Sequence, residues 1–379
     1  MKRRIWKWGL RAGLLLVIFA VGGFLVAASG IIPIKASSGH WAVTRWFLGF
    51  AMRRSLATHT LGRDLPALAQ PWLVLKGAGH YESGCRPCHG SPGLQSPRIA
   101  AAMTPHPPPL PSLVAERDPE ELFYVVKHGI KFTGMPAWPS QQRDDEVRAV
   151  VAFLLELPKL DADAYRRLIS GDVPPSGPVL PLRGLSEPRS APRAVTLSCA
   201  RCHGIDGQGR GLAAFPKLAG QKREYLQKAL QAYAENRRHS GIMEPIAASL
   251  GADDWRDLAA YYSNLPAEPS RPGVRSAAPS SIARGEEIAS RGISDRGVPS
   301  CMDCHGPGPH RRNAAYPNLA GQYADFLVLQ LELFKHGHRG GSPYAHIMSH
   351  VAPRLTPEQM RDVASYYESL SSDSDRTVP

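Results

Sequence analysis

The sequence predicts an all-α protein: one apolar helix long enough to span a membrane, followed by three small helical units. Two observations support this prediction. Every strongly periodic segment has the spacing of a helix, and a block of roughly 75 to 95 residues recurs three times along the chain. In the first unit, helices are predicted through Gly77 and Tyr81 and from about Pro119 to Lys127. Glycine at position 77 would let a second helix cross closely.

The predicted N-terminal helix rests on an apolar run from Ala12 to Ile34, in which 23 residues carry no charge. Basic residues precede this run, so the N-terminus is expected in the cytoplasm and the rest of the chain outside. A cleaved signal peptide is the alternative, because Val26-Ala27-Ala28 resembles a cleavage site. An uncleaved anchor is favoured, since the run continues past that site and aromatic residues alternate with arginines from Trp41 to Arg54. We therefore expect a single-pass protein of the bacterial inner (plasma) membrane, with the three units on the periplasmic side.

The net charge of +12 is concentrated at the N-terminal end of the chain. Residues 1–54 hold nine basic residues and no acidic one, so the remainder of the chain is near +3. The high isoelectric point is therefore a membrane-insertion signal rather than a nucleic-acid-binding surface. No nucleic-acid partner is expected.

All six cysteines belong to three copies of one motif, Cys-x-x-Cys-His. In each copy the two thiols can add to the vinyl groups of a porphyrin, and the histidine can bind its iron. Zinc binding and dithiol redox chemistry also use Cys-x-x-Cys, but zinc needs a second ligand pair and a redox dithiol does not need the histidine. The motif predicts three covalently bound haem c groups. Their attachment residues are Cys85, Cys88 and His89; Cys199, Cys202 and His203; and Cys301, Cys304 and His305.

Three methionines are the expected sixth ligands of the irons: Met135, Met243 and Met348. Each lies 22 residues before a leucine that ends a predicted helix, and this fixed register argues against incidental core methionines. The three leucines are Leu157, Leu265 and Leu370. His346 and His350 flank Met348 and are alternative ligands for the third iron. Neutral histidine–methionine pairs favour reduced iron, so positive reduction potentials are expected.

The repeats and the proline-rich stretches divide the chain into eight segments. Six prolines between positions 174 and 192 favour an extended spacer, with an ordered strap across the next unit as the alternative. The predicted segments are a cytoplasmic end and transmembrane anchor (1–34), a juxtamembrane segment (35–71), a first unit (72–158), a proline-rich linker (159–194), a second unit (195–266), a second linker (267–281), a third unit (282–371) and a disordered tail (372–379).

The second and third units share a further block, which the first unit lacks. It reads Pro-Lys-Leu-Ala-Gly-Gln at 216–221 and Pro-Asn-Leu-Ala-Gly-Gln at 317–322, and each copy is followed by a tyrosine-bearing helix. The chain is therefore interpreted as one single-haem unit joined to a paired two-haem module.

Residues 195–370 resemble the dihaem cytochromes of the c-four family. The resemblance rests on Ser198 to Gly204, on both of the blocks just described, and on Arg296 to Pro299 before the third motif. Residues 72–158 resemble a class I monohaem cytochrome c domain, through Cys85 to Gly90 and Gly134-Met135-Pro136. The extra first unit and the histidines beside Met348 depart from the dihaem pattern.

The resemblance implies three class I cytochrome c domains, each with a few helices around an almost buried haem, after the N-terminal transmembrane helix. It also implies haem attachment on the outer side of a bacterial membrane and electron delivery toward a terminal oxidase. The leading hypothesis is a periplasmic trihaem electron carrier between respiratory-chain components, which is not itself an enzyme and takes no small-molecule substrate. Its expected partners are redox proteins (an oxidase, a quinol-oxidising complex or a dehydrogenase) and the membrane.

Two other functions remain open at this point. One is a cytochrome c subunit of a periplasmic flavin- or quinone-dependent dehydrogenase complex, in which the partner subunit does the chemistry. The other is a haem enzyme or gas sensor, which requires an iron with an open sixth site; the third unit is then favoured, because histidines flank Met348.

Overall fold

The computed structural model of the protein describes residues 2–32, 34–170, 192, 195–211, 213–268, 277–308 and 312–371. Within these ranges the chain is helical and has no β-strand; the only extended pairings there are two isolated bridges, Ser91–Leu94 and Ile293–Val298. The all-α prediction is therefore confirmed. Most of the predicted proline-rich linker, the middle of the second linker and the predicted disordered tail lie outside the described residues.

The N-terminal helix α1 runs from Lys2 to Ala28. An 18-residue window within Arg4–Ala28 has a mean hydropathy of 2.3, and no part of that window is buried against the rest of the protein. At about 1.5 Å per residue it is long enough to cross a bilayer, a property that an anchor and a signal sequence share. The helix begins earlier than the predicted run, at Lys2, and it also ends earlier, because the chain turns at Gly30, where φ is +70°.

Helix α2, Ala42–Thr60, connects α1 to the first unit. It packs on this unit through Leu56, which is buried, and through the ring of His59, whose centroid lies 5.3 Å from that of Tyr124. The preceding turn is also tied down, since the Thr104 hydroxyl donates to the Ala36 carbonyl at 2.6 Å. The opposite side of α2 exposes large apolar side chains: Val43, Trp46, Phe47 and Phe50.

Seven helices form the first unit: α3 (Pro71–Gly84), α4 (Arg86–His89), α5 (Arg98–Ala101), α6 (Leu110–Ala115), α7 (Pro119–His128), α8 (Asp144–Glu156) and α9 (Ala162–Ser170). Helices α3 and α8 cross at Gly77, where a Cβ atom would lie 1.8 Å from the carbonyl oxygen of Ala149. The predicted close crossing at this glycine is confirmed. Tyr81 and Phe153 fill the core beneath the crossing.

Helix α9 corrects the predicted linker, which was expected to begin at residue 159. Tyr165 is buried against the first unit, and its hydroxyl donates to Glu82 Oε2 at 2.6 Å. The prolines that suggested an extended spacer begin only at residue 174, so they do not oppose a helix over Ala162–Ser170.

The second unit begins with a π-helical turn at Val195–Cys199, followed by α10 (Ala200–His203), α11 (Arg223–Ala234), α12 (Met243–Ala248) and α13 (Ala252–Asn264). The third contains α14 (Pro279–Arg291), α15 (Met302–His305), α16 (Ala324–Lys335), α17 (Ala345–Val351) and α18 (Pro357–Ser369). Short 3₁₀ turns at 36–38, 157–159, 209–211, 294–296 and 352–354 complete the described helical structure.

Helix α14 starts three residues inside the predicted second linker. Pro279 occupies its first turn, where a missing N–H costs nothing. Ser281 and Arg284 both donate to the buried Asp362 of α18, which fastens this turn to the third unit. The predicted helix ends are confirmed in all three units, because α8, α13 and α18 stop immediately before Leu157, Leu265 and Leu370.

Candidate haem sites

Each Cys-x-x-Cys-His motif forms a single helical turn that begins after the first cysteine and ends at the histidine. The turns are α4, α10 and α15, and a glycine with φ between +72° and +78° ends each of them: Gly90, Gly204 and Gly306. Glycine suits this position because it adopts positive φ without steric cost. On such a turn two cysteines three positions apart lie on one face, as attachment to a single planar group requires.

All three motif histidines are oriented by the same hydrogen bond. Nδ1 lies 3.2 Å from the Pro108 carbonyl for His89, 3.1 Å from the Pro216 carbonyl for His203, and 3.0 Å from the Pro317 carbonyl for His305. A carbonyl can only accept, so Nδ1 donates and carries the proton. The lone pair of Nε2 is then directed away from the chain, in the tautomer that binds a metal.

Burial favours the neutral form of these side chains. It lowers the pKa of His203, and with help from nearby basic residues it lowers that of His305 to about 4. Burial also raises the pKa of Cys85 to about 12 and those of Cys199 and Cys301 to about 11. At neutral pH the histidines are therefore uncharged, as an iron ligand must be.

Two of the predicted methionine ligands share a cavity with the motif histidines. A largely apolar cavity of about 560 Å³ extends between the second and third units, with Met243 and Met348 in its walls together with His203 and His305. The cysteines of both motifs also line it. His346 and His350, the alternative ligands for the third iron, are exposed and do not line this cavity.

Met135 lies in the loop between α7 and α8 and is half-buried. Its N–H donates to Thr133 Oγ1 at 3.1 Å, and its carbonyl accepts from the N–H of Ile130 at 3.2 Å. These two bonds close a tight turn that fixes the backbone on both sides of the methionine. Trp138, three residues later, is buried.

Two arginines also line the cavity between the second and third units: Arg238, which is buried, and Arg339, which is half-buried. Burial, and then the neighbouring charge of Arg238, lower the pKa of Arg339 to about 10. Within the described ranges neither guanidinium forms an ion pair with a carboxylate; Arg339 Nη2 instead donates to the Tyr225 hydroxyl at 3.0 Å. Buried cations of this kind need an anionic partner, so the cavity fits a group that carries carboxylates, as the propionates of haem do.

The repeated block of the second and third units forms a reciprocal contact between them. The side-chain amide of Gln221 accepts from the N–H of Asn318 at 2.7 Å and donates to its carbonyl at 2.9 Å. Gln322 makes the same pair of bonds with Lys217, both at 3.0 Å. Asn318 and Lys217 each follow the proline whose carbonyl holds a motif histidine, so each unit supports the other's histidine.

Sequence reasoning missed these proline carbonyls and the role of the glutamines. For the glutamines a signal was present, because the block recurs 13 residues after the second motif histidine and 12 residues after the third. The zinc alternative has no support in the described part of the chain, where no group of three or more His, Cys, Asp or Glu residues is placed to hold a metal ion.

Comparison with known families places cytochrome domains along most of the chain. Residues 73–154 match the family described as cytochrome c oxidase, cbb3-type, subunit III, and residues 192–266 and 282–371 match the family described as cytochrome c. These matched segments contain all three motifs.

Several named proteins are similar to parts of this chain. A thiosulfate dehydrogenase electron acceptor of Thiomonas intermedia is 37% identical over 169 residues, which cover 45% of this chain and 76% of that protein. Cytochrome c4 of Thiocapsa roseopersicina is 34% identical over 189 residues, 49% of this chain and 94% of the relative. Cytochrome c4 of Pseudomonas aeruginosa is 32% identical over 182 residues, 48% of this chain and 88% of the relative. With its oriented motif histidines and cytochrome matches on every unit, this chain belongs to the cytochrome c family, whose domains imply covalently bound haem c.

Proposed function

We propose that this chain is a membrane-anchored periplasmic electron carrier that holds three haem c groups. The observation that carries the proposal is the common orientation of the three motif histidines, each of which donates Nδ1 to a proline carbonyl. The six motif cysteines attach the porphyrins, the three histidines bind the irons, and Met135, Met243 and Met348 complete their coordination. When bound, haem c supplies an iron that gains and loses one electron at a time.

The surrounding residues orient the ligands, exclude water and set the potential. Apolar side chains line the cavity between the second and third units and keep solvent away. Thioether ligands raise the reduction potential relative to a second histidine. On this proposal the chain has three cytochrome domains, at 72–158, 195–266 and 282–371, with the third extended to Pro279 by helix α14.

The N-terminal region is proposed to hold the first domain at the bilayer surface. Helix α1 has the length and hydropathy of an anchor. The exposed aromatic side of α2, which includes Trp46 and Phe50, suits the headgroup layer. The contacts of α2 with the first unit would then keep this domain, rather than the second or third, next to the membrane.

Two kinds of partner have support from the comparisons. The match of residues 73–154 to an oxidase subunit family favours delivery toward a terminal oxidase. The relatives named thiosulfate dehydrogenase electron acceptor favour the alternative, in which a periplasmic dehydrogenase is the electron donor. Both partners can serve one carrier, since an electron must enter and leave it.

Co-purification of the native chain from its membranes in mild detergent tests this proposal. A haem–copper oxidase among the retained proteins supports the respiratory role, and a flavin- or quinone-dependent dehydrogenase supports the alternative. In either case the purified partner must reduce or oxidise the carrier in a stopped-flow assay. A chain that exchanges electrons with neither class would contradict the proposal.

A further inference from the structure

The first and second haem units are joined by a buried carboxylate, Glu146 of α8. Its side chain is 2% exposed and accepts from Trp138 Nε1 at 3.0 Å, within its own unit. It also accepts from the Ser240 hydroxyl at 2.6 Å and from the Gly241 N–H at 2.7 Å, both in the second unit. One carboxylate therefore holds two segments that are more than 90 residues apart in sequence.

Both segments belong to the proposed methionine loops. Trp138 follows Met135 by three residues, and Ser240 precedes Met243 by three. The contact continues to the second methionine itself, because the Met243 N–H donates to Ser240 Oγ at 3.0 Å. Glu146 is thus connected to the first methionine loop through an indole and to the second through a hydroxyl.

The charge of Glu146 is compensated inside the interface. Arg143 Nη2 lies 3.0 Å from Glu146 Oε1, and Arg143 Nη1 donates to the His239 carbonyl at 2.8 Å. Arg143 also pairs with Asp145, whose second partner is Lys76 at 2.9 Å. Two acids and two bases are therefore matched, as a buried ionic cluster requires if it is to persist.

Close apolar packing surrounds this polar centre. Ile242 of the second unit is buried within the hydrophobic core of the first. A Cβ atom on Gly241 would lie 2.2 Å from Trp138 Nε1, and one on Gly79 of α3 would lie 3.1 Å from Cys202 Sγ. The first unit thus packs closely against an attachment cysteine of the second.

We propose that Glu146 is a positioning residue that clamps the Met135 and Met243 loops together and so fixes the separation and orientation of the first and second haem sites. The proposal rests on the three-haem function proposed above. One side chain then joins the single-haem unit to the paired module. Because this contact keeps the distance between the first and second haem sites constant, electrons can pass between two parts that would otherwise move independently.

The test replaces Glu146 by glutamine, which keeps the shape but removes the charge and half of the acceptor capacity. Glu156→Gln is the matched control, because Glu156 lies on the same helix, is partly exposed, and pairs among described residues with Lys159 at 2.9 Å, within its own unit. Ser240→Ala is a second variant that removes a single bond of the clamp. All are studied as full-length, haem-loaded protein.

The first readout is amide hydrogen exchange, which does not depend on electron transfer. Loss of the charge and of one acceptor oxygen is expected to speed exchange at Gly241 and Met243 by about five- to thirtyfold in Glu146→Gln. Exchange in Glu156→Gln should equal that of the wild type. If exchange in Glu146→Gln were the same as in the wild type, the proposal that Glu146 clamps the two methionine loops would be wrong.

The second readout is the intramolecular electron-transfer rate after rapid photoreduction. The rate between the first and second sites is expected to fall about tenfold in Glu146→Gln, as for other partners that orient ligands, while the rate between the second and third sites stays the same. A general loss of stability would slow both rates, and that result would overturn a positioning role. A chain with fewer than three haems would contradict the proposed function, while the exchange data would still decide on the clamp.

Discussion

Replacing Gln322 by alanine tests the reciprocal contact between the second and third units. The side chain is 6% exposed, and its amide pairs with both the N–H and the carbonyl of Lys217 at 3.0 Å. Alanine leaves both backbone groups without this partner. Each lost hydrogen bond costs about 0.5–1.5 kcal/mol, so the free energy of unfolding should fall by about 1–3 kcal/mol.

The same variant should disturb the haem site of the other unit. Lys217 follows Pro216, whose carbonyl orients His203, so a looser backbone there weakens the hold on the imidazole. We expect a change in the reduction potential of the second haem that is larger than any change at the first. Denaturant unfolding and a redox titration of the full-length protein measure the two effects.

Gln231→Ala is the control for this experiment, because Gln231 lies on the outer side of α11 and its amide donates only to the exposed Glu235, at 2.8 Å. Its unfolding free energy and its three potentials should match those of the wild type. If Gln322→Ala were no less stable than Gln231→Ala, the reciprocal contact would not carry the stability assigned to it here.

Three further predictions concern the first unit. Met135→His should lower the potential of the first haem and leave its attachment intact, because a second imidazole stabilises ferric iron more than a thioether does; a redox titration measures the change, and an unshifted potential removes Met135 from the ligand set. Burial, aided by the positive charge of Lys76, lowers the pKa of His80 to about 3. Folded His80 is thus neutral where the unfolded chain binds a proton, so its contribution to stability is present above about pH 6.5 and is lost as the pH falls toward 3. His80→Gln should therefore lose less stability than the wild type between pH 7 and pH 5 in denaturant titrations, and equal losses would contradict this assignment. Gly77→Ala should destabilise the first unit by several kcal/mol, since its Cβ would lie 1.8 Å from the Ala149 carbonyl oxygen, whereas Gly84→Ala on the same helix meets nothing within 4 Å and should unfold like the wild type.

Local features of the fold could be predicted from the sequence because they depend on the types and spacing of residues that lie close together in the chain. The motif cysteines and histidines lie on single helical turns, as their spacing requires. The closing helices end at Leu157, Leu265 and Leu370, where the repeat register put them. The close crossing at Gly77 was predicted from the missing side chain.

The contacts between units did not follow from the sequence, because they join residues with no local relation. Nothing near Glu146 in the sequence indicates that it accepts bonds from residues 240 and 241. Helix α9 was missed because prolines further along dominated the composition of the predicted linker. The start of α14 at Pro279 was missed because its anchor, Asp362, lies more than 80 positions later in the chain.

The most direct test of the central claim is the mass of the intact, denatured chain, combined with a haem determination on the same sample. Thioether-bound haem survives denaturation, whereas haem held only through iron is lost. Each chain should retain three haems, and the chain that combines Cys85→Ala with Cys88→Ala should retain two. A chain that retains fewer than three, or a double variant that retains as many as the wild type, would contradict the assignment of a covalent haem to each motif.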